Sequence, residues 1–155
     1  MKLTHLFTIR ADLGTSHPIG GARGHIRAIA EVTGGTFEGE RLKGTVLTPG
    51  ADWAMVQKGH VELDVRLNLK TDDGAGIYMT YTGILEQNEA AQAAMRDGGG
   101  TEFGEHQFLT QPRFECGDER YAWLNTVVAV GEGRLLPGGV EYRVYECVAT
   151  AGDPS

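Results

Sequence analysis

Three groups of residues in this sequence combine types that do chemistry with spacings that bring them together. The first is Asp64-Val65-Arg66-Leu67-Asn68. In extended backbone, alternate side chains share a face, so Asp64, Arg66 and Asn68 stand in one row. A guanidinium beside a carboxylate clamps a ligand carboxylate or phenolate, because its planar fork meets two oxygens at once. That row either faces bulk water beside an apolar core or lines an enclosed lumen, where a barrel of about eight strands holds one small ligand. The second group is Pro49-Gly50-Ala51-Asp52-Trp53, a turn presenting an acid and an indole together. Asp52 offers a proton acceptor and Trp53 an apolar wall; alternatively Trp53 fills one end of the fold and Asp52 caps the turn. The third group pairs Arg113-Phe114-Glu115 with Tyr121-Ala122-Trp123-Leu124-Asn125, read as antiparallel neighbours across a short loop. An aromatic wall with a carboxylate and an amide suits an orienting pocket. A carboxylate desolvated in such a pocket would be pushed toward the basicity a proton acceptor needs. The plainer reading pairs Glu115 with Arg113 or Arg120 at the surface.

Other chemistries have less support. His5, His17, His25, His60 and His106 are scattered, with no His-x-His, no H-E-x-x-H and no cysteine pair. The serines, Ser16 and Ser155, lie outside any nucleophile motif, and no glycine-rich phosphate loop follows a strand. The sequence predicts no metal and no cofactor.

The element that must position these residues is a hairpin, Val61 to Leu85. Leu63, Val65, Leu67 and Leu69 alternate with Glu62, Asp64, Arg66, Asn68 and Lys70. Thr71-Asp72-Asp73-Gly74 supplies the turn, and Ile77, Met79 and Tyr81 return along one face. Elsewhere the patterns predict strands over Leu3–Ile9, Gly24–Thr33, Thr36–Glu38, Leu42–Leu47, His106–Phe114, Tyr121–Val130 and Val140–Val148. Ala11–Gly24, Gly34-Gly35, Thr48–Ala51 and Gly131–Gly139 read as loops or turns. Glu86–Arg96 is the one helical window, with Asn88 to cap it and Gly98-Gly99-Gly100 to stop it. Eight to ten short strands with one peripheral helix predict an all-β fold, an antiparallel closed barrel, since closure removes exposed edges.

The 155 residues predict one domain over 1–150 and a frayed tail over 151–155. The 23 glycines suit short strands with bends and bulges. A net charge of −7 argues against nucleic acid and anionic membranes as partners. No apolar run has the length of a signal peptide or a span. Cys116 and Cys147 are therefore expected as reduced thiols in a cytoplasmic protein.

Taken as an ordered set, several motifs resemble the family catalogued as domain of unknown function 3237. They are Gly34-Gly35-Thr36-Phe37-Glu38-Gly39, Leu42–Leu47 running into Pro49–Trp53, Asp64-Val65-Arg66, Asp72-Asp73-Gly74, Ile77-Tyr78, Gly83, Arg113-Phe114-Glu115 and Tyr121–Asn125. The resemblance implies a barrel like that of allene oxide cyclase, often a homodimer. It also implies cofactor-free chemistry on aromatic, lignin-type acids, with decarboxylation the reported type. Cys116 stands where the family commonly has Thr.

Together these readings predict a cofactor-independent lyase for a small phenolic carboxylic acid, passing through a quinone-methide-like intermediate or a related proton shift. Arg66 holds the carboxylate or a developing oxyanion, and Asp52 or Glu115 moves a proton. Trp53, Trp123 and Tyr81 frame the ring, Asn125 orients it, and Arg27, Asp64 and Tyr121 complete the binding residues. Two alternatives stand beside it: a barrel that carries or sequesters an aromatic or apolar ligand without catalysis, and a structural dimer whose lumen is packed by Leu63, Val65 and Leu67.

Overall fold

The computed structural model describes residues 1–21 and 23–152. Its eight antiparallel strands close into one barrel in sequence order. They are β1 (Lys2–Gly20), β2 (Ile26–Glu38), β3 (Lys43–Gln57), β4 (His60–Thr71), β5 (Gly76–Glu86), β6 (Phe108–Glu115), β7 (Ala129–Leu136) and β8 (Gly139–Val148). Helix α1 (Glu89–Asp97) follows β5, and a 3-10 helix (Glu119–Thr126) follows β6. No helix among the described residues is long and apolar enough to cross a membrane.

The central hairpin forms in the expected register, with Val65 opposite Tyr81 and Leu67 opposite Met79. Its faces settle the orientation. Leu63, Val65, Leu67 and Leu69 are buried in the lumen, while Asp64 and Arg66 are exposed on the outer wall. The polar row therefore does not line the lumen. The physical reason is the relative cost of the two arrangements. Burying each aliphatic side chain contributes about 1.5–3 kcal/mol, whereas enclosing an unpaired guanidinium or carboxylate costs several kcal/mol.

Half of the lumen is packed solid. Phe7 lies 5.7 Å from Phe37 and 5.8 Å from Phe114, centroid to centroid. Leu69, Ile77 and Met79 are buried around them. The 3-10 helix sets fully buried Leu124 into this core, with Tyr121, Trp123 and Val127 packed against it. Sequence alternation predicted a strand over Tyr121–Val130. The chain instead turns helically from Asp118, whose carboxylate caps the Arg120 amide, and resumes extended structure only at Ala129. Toward the opposite end the walls are lined by smaller residues, including Ala11, Ala30 and Ala54, and α1 lies at that end. Helix α1 is capped by Asn88, which accepts from the Ala91 amide, and stopped by Gly98 in the left-handed region. Ala91 and Ala94 are its buried contacts.

Four stretches expected as loops or turns are wholly or partly strand. Residues 11–20 continue β1 beyond the barrel rim: pairing with β8 stops at Asp12 opposite Gly139, while pairing with β2 runs on to Gly20. Paired on one side only, this extension tolerates Pro18, which has no N–H to give to a second neighbour. Gly34-Gly35 is a bulge within β2 rather than a turn. Gly35 holds φ at 141° with Arg10 backbone so near that an added Cβ would lie 1.9 Å from the Arg10 carbonyl. In β7 the inward face is Ala129, Gly131, Gly133 and Leu135. A Cβ at Gly133 would sit 2.8 Å from the Phe108 ring. These glycines make room for a neighbour's side chain. Thr48–Ala51 likewise stays within β3, containing a cis Thr48–Pro49 bond and a register shift against β4. Of the expected loop and tail, Ala22 and Asp153–Ser155 lie outside the described residues.

Candidate functional site in the barrel lumen

The open half of the lumen contains a cavity of about 140 Å³, lined mainly by aliphatic side chains such as Ala30, Val32, Leu63 and Val65. Three polar side chains break that lining: Asp52, Tyr81 and Tyr142. Val65 is the cross-strand partner of both Asp52 on β3 and Tyr81 on β5. The acid and the phenol therefore occupy one tier of the barrel wall, two strands or about 10 Å of backbone apart, with side chains converging inward.

Asp52 sits beside a gap in the pairing of β3 with β4. The register is the same at Asp52 opposite Val65 and at Met55 opposite Glu62, but Trp53 and Ala54 between them pair only with β2 among the described residues. Side chains take up the freed backbone groups. The Asp64 amide donates to Asp52 Oδ1 at 3.0 Å. Arg27 Nη1 donates to the Trp53 carbonyl at 2.7 Å. Burial dominates the electrostatics and pushes the Asp52 carboxyl up to about 6, against the lowering effect of the Asp64 amide. The charge of Asp64 adds to the rise and that of Arg27 opposes it. An acid with this pKa changes protonation near neutrality, as proton transfer requires.

The two phenols form a pair. Tyr81 donates its hydroxyl to the Tyr142 hydroxyl at 3.3 Å, with ring centroids 5.2 Å apart. Tyr142 also meets Phe108 edge to face at 5.2 Å. Burial raises both phenol pKa values, and the negative charge of Asp52 raises them further. Both remain protonated and able to donate to an oxygen that gains negative charge. Tyr142 is absent from the sequence-predicted site. Its signal was available: it alternates with Val140 and Val144 on the inward face of the last strand.

The other predicted residues are distributed outside the lumen. Trp53, Arg66, Glu115 and Asn125 line one outer groove of about 870 Å³. Arg27, Asp64 and Trp53 line an adjoining hollow. Asn125 is held by its own hairpin-like closure, accepting from the Cys116 amide at 2.8 Å and donating to the Cys116 carbonyl at 2.9 Å. Tyr121 and Trp123 do not join Glu115 as expected. Tyr121 donates to Asp73 at 2.8 Å, and Trp123 lies under the Arg41 guanidinium at 3.5 Å. The helical turn rotates these aromatics toward the filled end. Cys116 and Cys147 are both free thiols.

Similar proteins share this architecture. A UPF0311 protein of Rhodopseudomonas palustris is 31% identical over 147 residues, covering 94% of this chain and 96% of that protein. The crystal structure of a conserved protein of unknown function from the same species superposes with a TM-score of 0.84 at 30% identity, covering 94% and 95% of the two chains. A β-barrel-like protein from Acinetobacter baumannii gives 0.79 at 33% identity, with 94% of each chain covered. The fold also matches an enzyme from Penicillium herquei, with a TM-score of 0.68 at 24% identity and coverage of 94% and 92%. The model of the family described as protein of unknown function (DUF3237) matches residues 1–147, and the chain belongs to that family.

Proposed function

We propose that this barrel is a cofactor-independent lyase that decarboxylates a small para-hydroxyaryl acid within its lumen. One observation carries the reading: a carboxylate with a pKa raised to about 6 shares an apolar cavity with a hydrogen-bonded phenol pair. That the same fold serves an enzyme in Penicillium herquei supports a catalytic use. The cavity volume of about 140 Å³ matches roughly one benzene ring, which occupies an apolar cavity of about 150 Å³. Met95 and Leu13 border the cavity and are partly exposed, so a substituent on the ring projects past them toward solvent.

The chemistry follows from these groups. Ionised Asp52 removes the proton of the substrate phenol, and Tyr142 with Tyr81 donates hydrogen bonds to the phenolate. Electron density from that oxygen reaches the carbon bearing the carboxylate. A proton taken from solvent at the mouth adds there and gives a quinone methide from a cinnamic-type acid, or the corresponding cyclohexadienone where that carbon belongs to the ring. The carbon–carboxylate bond then breaks, CO2 leaves, and its electron pair restores the ring and the phenolate. Asp52 returns its proton to that oxygen. The substrate itself serves as the electron sink.

The test is CO2 release from para-hydroxycinnamic and para-hydroxybenzoic acids, followed with the wild type and with Asp52→Asn. Loss of the general base is expected to lower turnover by about 10²-fold or more. No turnover of either acid class, or full turnover by Asp52→Asn, removes the proposal. The mainly aliphatic lining supports a second reading, a non-catalytic carrier for an aromatic ligand. In that case native mass spectrometry finds a retained ligand and no product forms.

A further inference from the structure

The groove on the outer wall has chemistry that the lumen reading leaves unused. It runs over β4, β5 and the end of β6, between the β3 bulge and the Cys116–Asn125 closure. Outward side chains form two adjacent rows. Asn68, Tyr78 and Glu115 are cross-strand neighbours, and Arg66, Thr80 and Arg113 are the next row. Among the described residues Arg66 makes no ion pair with an acid and Glu115 makes none with a base. The Arg66 guanidinium instead lies over the Trp53 ring, 4.9 Å from its centroid. Tyr78, 43% exposed, borders the same groove.

Several features give this groove fixed walls. The Asn68 amide donates to the Thr48 carbonyl at 3.1 Å, tying β4 to the bulge. Asn125 clamps Cys116, and the Cys116 thiol donates to the Gly76 carbonyl at 3.2 Å. Two aromatic faces, one cation and one anion therefore project from rigid backbone. Arg66 and Glu115 are two strands and one pleat apart, about 12 Å between Cβ positions. Reach of the two side chains leaves between their charged ends a gap that one ring with a substituent at each end can span.

We propose that this groove is a second small-molecule site, separate from the lumen, for a planar aromatic carboxylate bearing a hydrogen-bond donor opposite its acid group. The carboxylate pairs with Arg66, the ring packs against Trp53 and Tyr78, and the donor meets Glu115. A guanidinium already stacked on an indole gives up little side-chain entropy when it engages a carboxylate bidentately. The inference does not depend on catalysis in the lumen.

The experiment follows the indole N–H resonances by NMR during titration with 4-hydroxybenzoate. Trp53 and Trp123 are the two tryptophans, and Trp123→Phe assigns the Trp53 signal. The titration is run on Asp52→Asn, which lacks the lumen base but keeps the groove, and on the same protein carrying Arg66→Ala. Saturable movement of the Trp53 signal is expected in the first, with affinity at least tenfold weaker in the second. Glu115→Gln should weaken 4-hydroxybenzoate more than benzoate, which lacks the donor. A Trp53 signal that does not move at millimolar ligand overturns the proposal, as does movement unaffected by Arg66→Ala. Arg66→Lys keeps the charge without the planar fork and is expected to bind with intermediate affinity, so the result does not rest on one variant. Neither outcome alters the turnover test of the lumen.

Discussion

Replacing Asp52 by Asn should make the protein more stable relative to wild type as pH rises, while lowering its proposed turnover. In the unfolded chain this carboxyl titrates near 3.8, and in the barrel near 6. At about 1.4 kcal/mol per pH unit, ionised Asp52 makes the native state about 3 kcal/mol less favourable than the protonated form does. The native state binds the extra proton between those two pH values. Wild-type stability from this group is therefore fully present below pH 3.8 and is lost as pH rises through about 6. Asparagine does not titrate, and its Oδ1 still accepts from the Asp64 amide. Its new N–H donors carry a burial cost of their own, about 1–3 kcal/mol if unpartnered, but that cost is the same at every pH. The quantity to measure is the difference in stability between Asp52→Asn and wild type, at pH 4 and again at pH 8. That difference should move by about 2.5 kcal/mol in favour of the variant at the higher pH, less than the whole effect because the unfolded carboxyl is already partly ionised at pH 4. For a domain of this size the change corresponds to roughly 5–10 °C in relative Tm. Thermal melts by circular dichroism in matched buffers suffice. A variant-minus-wild-type difference that is flat from pH 4 to 8 would show that Asp52 is ordinarily solvated, and the proton-transfer role would fall with it.

Three further outcomes follow from the same geometry. Tyr81→Phe removes the donor to Tyr142 and should lower turnover by about 10²-fold, with stability changed by about 1 kcal/mol; parallel kinetics and urea unfolding separate the two. Gly35→Ala places a Cβ 1.9 Å from the Arg10 carbonyl at a φ of 141°, and should cost more than about 3 kcal/mol, visible as a large fall in Tm or as insoluble protein. Asn88→Ala loses both the cap on the Ala91 amide and the bond to the Glu105 carbonyl; a loss of about 1 kcal/mol should appear as faster amide exchange confined to α1.

Period-two alternation made the barrel legible, because each core strand places aliphatic residues on one side, as Leu63 to Leu69 do. It said nothing about which side encloses space. That depended on the balance between aliphatic burial and charge desolvation, and it moved Arg66 and Glu115 to the outer wall. Asp52 and Tyr81 were recognisable as candidates from type and position. Their meeting in the lumen depends on the β3 bulge, which shifts register after Leu47 and has no local signature beyond Pro49-Gly50. Glycines misled in a consistent way. Gly34, Gly35, Gly131 and Gly133 suggest turns by their type, yet they sit in strands where a neighbouring backbone or side chain takes the space of a Cβ. Tyr121–Asn125 misled for the opposite reason: its residues alternate like a strand, but Asp118 starts a helical turn that buries Leu124.

The aromatic packing around Phe7, together with Leu124, makes the barrel a vessel stoppered at its base. Nothing can pass through it as through a conduit. In the proposed decarboxylation, reactant and product would share one doorway, beside Met95 and Leu13, and would use it in turn. Gaseous CO2 would depart past the remaining molecule easily, whereas the aromatic product would have to withdraw before the next reactant enters. Turnover at saturation would then be set by that withdrawal, and added product should act as a competitive inhibitor.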